Sequence, residues 1–427
     1  MGLRMGKLSS SLSLALVAAA VGCGSSDDET QPKQLEIYSW LTSGSEKAAL
    51  DALLAKVSEA QPGIQITNAA QDRSDIAQKE LPDHIRAGNP PDSFQVVGGA
   101  PLKEWIRQGA LEPIDSLAAA QNWNSGTAFP PGVLDSVSKD GKIYAAPLNL
   151  ERGNTLFYNK AMVTAAGFAD GPTFENFFMV ADAIKAQGKT ALSVSAAGGW
   201  TITAALFDSI LPAQAGPDFQ KQYFLGQSTG DAQQMRDALT TLGTMMDYAN
   251  ADRMSALWTD AVKKVCSGDA AMLLLPDFVK GEFKTDGCDE TMVGYVPMQP
   301  AATPTFIYVG MTWPLPVGAP HRDMGLEFLR ITGSAEGQAA FNPLKGSIPA
   351  RIDVDPSSLD PISQITFRDF SAAGEVVQLG YPGATPSAFQ EAAATAMKDF
   401  VDPSNANFKN VDIVLSVLRT QYVTLTQ

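Results

Sequence analysis

The amino-acid sequence predicts an α/β protein in two lobes, and three observations carry that prediction. Runs that alternate at the strand period are followed, over most of the chain, by runs that are apolar at helical spacing. The chain has 427 residues, more than one hydrophobic core ordinarily organises, so two lobes are expected. Near the middle, two short strand-like runs lie close together, as a chain crossing between lobes requires.

Taken in order, Leu35-Glu36-Ile37-Tyr38-Ser39-Trp40 alternates as a strand does. Thr42-Ser43-Gly44-Ser45 is a polar break, and 46–60 places Leu50, Leu53, Leu54 and Val57 on one helical face. Pro62-Gly63 ends that helix, and Ile64-Gln65-Ile66-Thr67 starts a second strand, completing a β-α-β unit. A helix over 75–87 follows, then a break at Pro90-Pro91, a strand over 93–97, and a helix carrying Leu102, Trp105 and Ile106 that stops at Gly109. The turn Asp140-Gly141-Lys142 leads to the two crossing strands, 143–147 and 155–159. The next stretch reads helical over 173–186, 202–211, 218–225, 232–248 and 260–267, with strands at 271–275 and 293–296. A return strand at 306–310 and a helix over 323–332 close the pattern.

Charged residues make up 18% of the chain and hydrophobic ones 45%, values of a globular protein rather than a disordered or membrane-spanning one. The 46 acidic residues outnumber the 31 basic ones, for a formal charge of −15. Such a chain repels nucleic acid phosphates and anionic bilayers, so neither is an expected partner.

The first residues read as a processing segment. Arg4 and Lys7 form a basic start, and 12–21 is an apolar run far shorter than the roughly 20 residues of a membrane span. Ala20-Val21-Gly22-Cys23 follows and resembles a bacterial lipobox, whose cysteine is acylated; cleavage by ordinary signal peptidase is the alternative. The expected divisions are a signal peptide over 1–22 and a lipid-anchored flexible tether over 23–34. Export to an oxidising compartment makes a disulfide between Cys266 and Cys288 reasonable, with two free buried thiols as the alternative.

Enzyme motifs fail on context. Gly226-Gln227-Ser228-Thr229-Gly230 has the pattern of a nucleophile elbow, but a helix precedes it where a strand is needed. His84 and His321 are the only histidines available as a base, and Pro320-His321-Arg322 reads as a solvent-facing loop. Gly188-Lys189-Thr190 mimics the end of a P-loop whose first glycine would be Ala183. No motif asks for a cofactor or a metal.

Several stretches, in order, resemble extracellular solute-binding proteins of sugar-importing ABC systems. They are Trp105-Ile106-Arg107-Gln108-Gly109-Ala110-Leu111-Glu112-Pro113-Ile114, Asp140 to Pro147 with Phe157-Tyr158-Asn159-Lys160, Gly268-Asp269-Ala270-Ala271-Met272, and Phe341-Asn342 with Lys345-Gly346-Ser347-Ile348-Pro349-Ala350-Arg351. The resemblance covers nearly all of 35–427. It implies a two-lobed periplasmic-binding-protein fold of type II, with lobes joined by crossing hinge strands and closing on a solute, and no catalysis. The N-lobe would be 35–146 with a return segment over 306–350, and the C-lobe 150–305 with C-terminal helices over 351–427. The implied partners are a small solute, a saccharide in view of the family, and ABC permease subunits; the protein would act as a monomer outside the cytoplasm, anchored by lipid. A carbohydrate-active hydrolase and a solute sensor are the rival readings.

Within that family, Trp40-Leu41-Thr42-Ser43-Gly44-Ser45-Glu46 and Phe278-Val279-Lys280-Gly281-Glu282 are similar to stretches of the glucose-binding branch. The branch's histidine after the third strand is replaced by Val96-Val97-Gly98-Gly99, its return-strand aspartate by Val309-Gly310-Met311, and a further histidine around Tyr381.

Sugar chemistry gives a separate route to the pocket. A pyranose stacks its C–H face on aromatic rings and turns its hydroxyl rim to planar charged or amide groups. Of six tryptophans, Trp40, Trp200 and Trp258 are candidates for pocket or packing, whereas Trp105 reads as core. Trp40 ends a strand, where α/β ligands bind. Polar candidates are Glu46, Arg152, Asn154, Asp277 and Lys345. Glu46 is otherwise a helix-start charge favoured by the macrodipole, and Arg152 is otherwise a bridge between lobes. Lys280 reads as a solvated helix residue.

Overall fold

The computed structural model describes residues 33–69, 74–300, 303–371 and 376–426. The signal segment and Cys23 lie outside the described residues, as does all but the end of the tether. Lys33–Gln427 forms one compact unit, within which two large apolar cores mark the lobes.

The N-lobe begins with Gln34–Tyr38, whose Leu35 and Ile37 turn inward while Gln34 and Glu36 face solvent. It is the middle of a parallel sheet, flanked by Gln65–Asn68 and Ser93–Phe94. Helix Gly44–Ala60 covers this sheet by burying Ala49, Leu50, Leu53 and Val57. The single strand expected over 93–97 is two. Ser93–Phe94 pairs in parallel with Ile37 and Tyr38, and Val96–Val97 pairs antiparallel with Met311 and Thr312 in a different sheet. Gln95, at the switch, donates its backbone N–H to Tyr38 O at 2.9 Å, and its Oε1 accepts from Ser39 Oγ at 2.7 Å.

The C-lobe sheet has the order Thr190–Ser193, Ala270–Leu274, Thr155–Asn159, Val293–Pro297, with only the first pair parallel. Helix Phe177–Ala186 starts later than the expected 173, because Thr173 and Asn176 close a reciprocal turn first. The helix expected over 202–211 runs from Trp200 to Ala215 with a π-helical turn at Ala205–Ile210. That extra residue per turn points Asp208 into the interior.

The lobes are joined through a third sheet. Strand Thr305–Pro316 pairs antiparallel with Ala145–Arg152 along most of its length, with a bulge between Met311 and Thr312, and in parallel with Val376–Leu379. The return strand expected over 306–310 is longer than that, although Pro314 and Pro316 within it lack a ladder N–H. It continues to Pro316, and the Pro314 carbonyl accepts from Ser93 Oγ at 2.7 Å. Chain crossings occur at Gly153-Asn154, in the 305–310 part of the long strand, and at Gly380-Tyr381.

Residues 351–371, expected with the C-lobe, place most of their buried apolar side chains in the N-lobe core instead. Leu359, Phe367 and Phe370 join the N-lobe core, where Phe370 meets Phe306 and Tyr308 at ring separations of 5.5 and 6.4 Å. Only from Tyr381 onward does the C-terminal segment pack on the C-lobe, through Phe389, Ala393, Met397 and Phe400. His321 is likewise no free loop residue: its Nδ1 lies 3.0 Å from Oδ2 of the buried Asp92.

Candidate functional site between the lobes

Two motifs far apart in sequence meet at the lobe boundary. Helix Ala335–Lys345 packs along helix Gly44–Ala60 and ends at Gly346, whose φ of 81° is a left-handed turn that terminates the helix. A Cβ there would lie 2.3 Å from the Gly281 amide nitrogen, and one on Gly281 would lie 2.7 Å from the Leu344 and Lys345 carbonyl oxygens. Glycine at both positions lets the helix end seat on the start of Val279–Thr285 in the C-lobe.

That seating buries Lys345 and aims its ammonium. Lys345 Nζ lies 2.9 Å from Glu151 Oε1, 3.1 Å from Glu46 Oε1 and 3.8 Å from the centre of the Phe278 ring. These partners come from the crossing strand Ala145–Arg152, the first turn of the N-lobe helix and a C-lobe loop. Burial alone would lower the Lys345 pKa, but the attraction of Glu151 and Glu46 outweighs it and the ammonium is held protonated. Burial pushes the Glu151 pKa up; Lys345 opposes this, while Glu46 and Asp277 add to it. One cation therefore serves two carboxylates. Asn149 Nδ2 donates to Glu151 Oε1 at 3.3 Å, and Asn149 Oδ1 is buried without a partner.

Aromatic rings gather beside the cluster. Trp258, first residue of helix Trp258–Ser267, meets Phe278 edge-on at 5.2 Å, and the exposed Trp200 lies 6.5 Å from the same ring. Trp40 is half-buried against the N-lobe core. Trp105 packs on that core too, with Phe94 at 5.3 Å.

Arg152 and Asn154 are spent on the crossing itself. Arg152 Nε donates to Asn154 Oδ1, Nη1 to Asp369 Oδ2 and the Tyr295 hydroxyl, and Nη2 to Gln299 Oε1 and Thr305 O, at 2.8–3.3 Å. Those bonds use every donor a guanidinium has. Its plane also lies over Phe306, 4.8 Å from the ring centre. Asn154 Nδ2 donates to Met298 O and Thr305 O, and Oδ1 accepts from the Ile307 amide. Asp277 is fully buried, accepting from the Arg152 amide at 2.8 Å and from Lys280 Nζ at 2.7 Å. Lys280 is thus a buried ion-pair partner rather than the solvated residue its helix position suggested. Sequence reasoning missed Glu151 and Phe278. A glutamate beside an arginine at the end of a mostly apolar strand was the available signal for the first.

Cys266 and Cys288 are joined by a disulfide, with Cα atoms 5.8 Å apart. A cavity of about 260 Å³ beside it is lined by Phe157, Phe283, Lys284 and Ile362, on a face of helix Val279–Thr285 other than that of Glu282. The Gly226–Gly230 stretch follows helix Pro217–Phe224, and the Ser228 amide donates to the Tyr422 hydroxyl. Nothing there forms a nucleophile elbow.

Residues 52–364 match the family described as bacterial extracellular solute-binding protein. This chain belongs to that family. At the level of the family it is a receptor for solutes and not an enzyme. An uncharacterized ABC transporter extracellular-binding protein of Pyrococcus horikoshii, PH1214, is 31% identical over 403 residues, covering 88% of this solute-binding protein and 89% of its own length. A probable sugar-binding periplasmic protein of Mesorhizobium japonicum is 30% identical over 386 residues, covering 86% and 88%. The bacterial solute receptor AcbH, described with an exclusive preference for β-D-galactopyranose, shares the two-lobed periplasmic-binding-protein fold. Its TM-score is 0.80 at 16% identity, over 93% of this chain and 100% of that one. No helix among the described residues is long and apolar enough to cross a membrane.

Proposed function

We propose that this solute-binding protein captures a mono- or oligosaccharide between its lobes and hands it to the permease of an ABC importer. The observation that carries the reading is the Glu46–Lys345–Glu151 cluster beneath Phe278, drawn from both lobes and flanked by Trp200 and Trp258. Two carboxylates sharing one ammonium offer spare acceptors and a donor to sugar hydroxyls, while an indole face suits the sugar's C–H face. The name of the Mesorhizobium relative points the same way. Trp40, Glu46, Trp200, Trp258 and Lys345 are the contact residues in this reading. Arg152, Asn154 and Asp277 hold the crossings about which the lobes close, and the protein works as a lipid-anchored monomer outside the cytoplasm.

The residues that depart from the glucose-binding branch speak against glucose as the sugar in this reading. Within the stretch Val96-Val97-Gly98-Gly99, which stands where the branch has a histidine, Gly99 packs against the backbone at Gly383. A Cβ at Gly99 would sit 2.2 Å from Gly383 O, so this position has no room for a side chain.

The test is a thermal-shift screen of Lys33–Gln427 against monosaccharides, oligosaccharides, polyols and amino acids. A ligand that binds only the folded state raises the melting point by mass action. One sugar class should raise it without being consumed, and Lys345→Ala should abolish the rise. A flat response to every sugar, with a rise on an amino acid, would overturn the reading.

A further inference from the structure

Each lobe places a carboxylate on the first turn of a helix that belongs to the other lobe. Glu282, on the C-lobe helix Val279–Thr285, accepts from the Ser45 backbone N–H at 3.4 Å and from its hydroxyl at 3.2 Å. Ser45 lies in the first turn of the N-lobe helix Gly44–Ala60. In the opposite sense, Glu104 of the N-lobe helix Ala100–Arg107 accepts from the Ser387 N–H at 3.0 Å and from its hydroxyl at 2.6 Å. Ser387 opens the C-lobe helix Ser387–Val401.

Neither recipient helix is capped by its own sequence. Ser43 and Pro386, at the two cap positions, make no side-chain cap bond. The free N–H groups at a helix start need acceptors, and a negative charge there is favoured by the helix dipole. Here both acceptors cross the lobe boundary. Gly44 leaves room for the Glu282 carboxylate, since a Cβ on it would lie 2.6 Å from Glu282 Oε2. Glu282 is itself buried, so its carboxylate has given up most of its water to make this contact.

We propose that Glu104 and Glu282 are positioning residues that set the balance between closed and open forms of the empty receptor. They do so by capping, across the lobe boundary, two helices that lack caps of their own. The proposal rests on the hinge-closure reading above. Bonds made only when the lobes meet favour the closed form by their full differential strength. A single cap is worth roughly threefold to tenfold in such a ratio, and two independent caps multiply. Sugar affinity then depends on residues that no sugar touches, because the apparent affinity scales with the population of the competent form.

The experiment measures lobe separation in the full chain, held in detergent, by paired spin labels at Ser58→Cys in the N-lobe and Gln233→Cys in the C-lobe. Without sugar, the parent protein should show mainly the shorter distance. Glu104→Ala with Glu282→Ala should lower the closed-to-open ratio about tenfold or more, and each alone by less. Glu→Gln at both sites, which keeps an acceptor and removes the charge, should restore part of the ratio, and rising salt should weaken only the glutamate protein. Circular dichroism should remain that of the parent. Identical distance distributions for parent and double-alanine proteins would overturn the proposal, as would a parent that is already open. Adding D-galactose, D-xylose and maltose separates the two failures. If a sugar shortens the distance while the glutamate substitutions do not change it, closure stands and the caps fall. If the distance never changes under any condition, the closure reading falls with them.

Discussion

Asp208 carries an exposed cost inside a fully buried site. Its Oδ1 accepts from the Tyr381 amide at 2.6 Å and from Gln220 Nε2 at 3.4 Å, while Oδ2 has no hydrogen-bond partner. A Cβ on Gly153 or on Gly380 would lie only 3.2 or 3.1 Å from that oxygen, so the carboxyl is wedged between two chain crossings. Burial raises its pKa to about 7, against the opposing bond from Tyr381. Between the ordinary carboxyl range near 4 and pH 7, the folded protein therefore keeps a proton that the unfolded chain has released. Stability contributed by that proton is lost as pH climbs through this window, roughly 4 kcal/mol in all. Asp208→Asn should melt higher than the parent at pH 8 and close to it at pH 4.5. A melting-point difference that is constant across pH would show that the carboxyl titrates in its usual range. Arg152 is the opposite case, a buried charge whose donors are all satisfied, and its place at Gly153's doorstep is structural before it is anything else.

At the scale of elements, close approach explains several glycines and one interrupted helix. Gly294 faces Tyr158 across the pair Val293–Pro297 and Thr155–Asn159, and a Cβ on it would lie 2.1 Å from Tyr158 Cζ. Gly294→Ala should cost about 1–3 kcal/mol through overpacking, read as a lower urea midpoint. Adding Tyr158→Ala should recover part of the loss, because the two positions are coupled; additive losses would place the strain elsewhere. The helix pattern over 202–211 was legible in the sequence, but its π-helical turn was not. Apolar spacing on both sides of Asp208 satisfies an ordinary helix, and only the crossing glycines packed against it reveal the extra residue. The short strands 93–94 and 96–97 follow the same logic: one run of alternating residues supplies two sheets, and the switch at Gln95 depends on what lies opposite.

For the whole molecule, the proposed anchor and the lobes make separable claims. If Cys23 is the acylated residue, Cys23→Ser should move the protein from the membrane fraction to the soluble fraction of the expressing cell. A variant that still partitions with lipid would remove the lipobox reading and leave the receptor fold untouched. Lobe membership was the part of the architecture least visible beforehand. Residues 351–371 were expected with the C-lobe, yet Phe367 and Phe370 lie in the N-lobe core and Ile362 reaches the small cluster around Phe157 and Phe283. Helix Pro361–Ser371 ties the two lobes together near Arg152, through Asp369.

Strand and helix periodicity, turn residues and chain length were enough to specify an α/β protein of two lobes, because those signals are local and repeat along the chain, and the resemblance carried by the ordered motifs added the receptor role. Local signals also singled out Glu46 and Lys345, which the fold does bring within 3.1 Å of each other. They could not separate Arg152, Asn154 and Asp277, whose polar groups face protein, from residues with acceptors to spare. That distinction, with the roles of Glu151, Phe278, Glu104 and Glu282, belongs to tertiary structure. Burial and many of the hydrogen-bond partners are set by chain segments more than a hundred residues away, and a polar side chain has the same letter whether its partner is a solute or another strand.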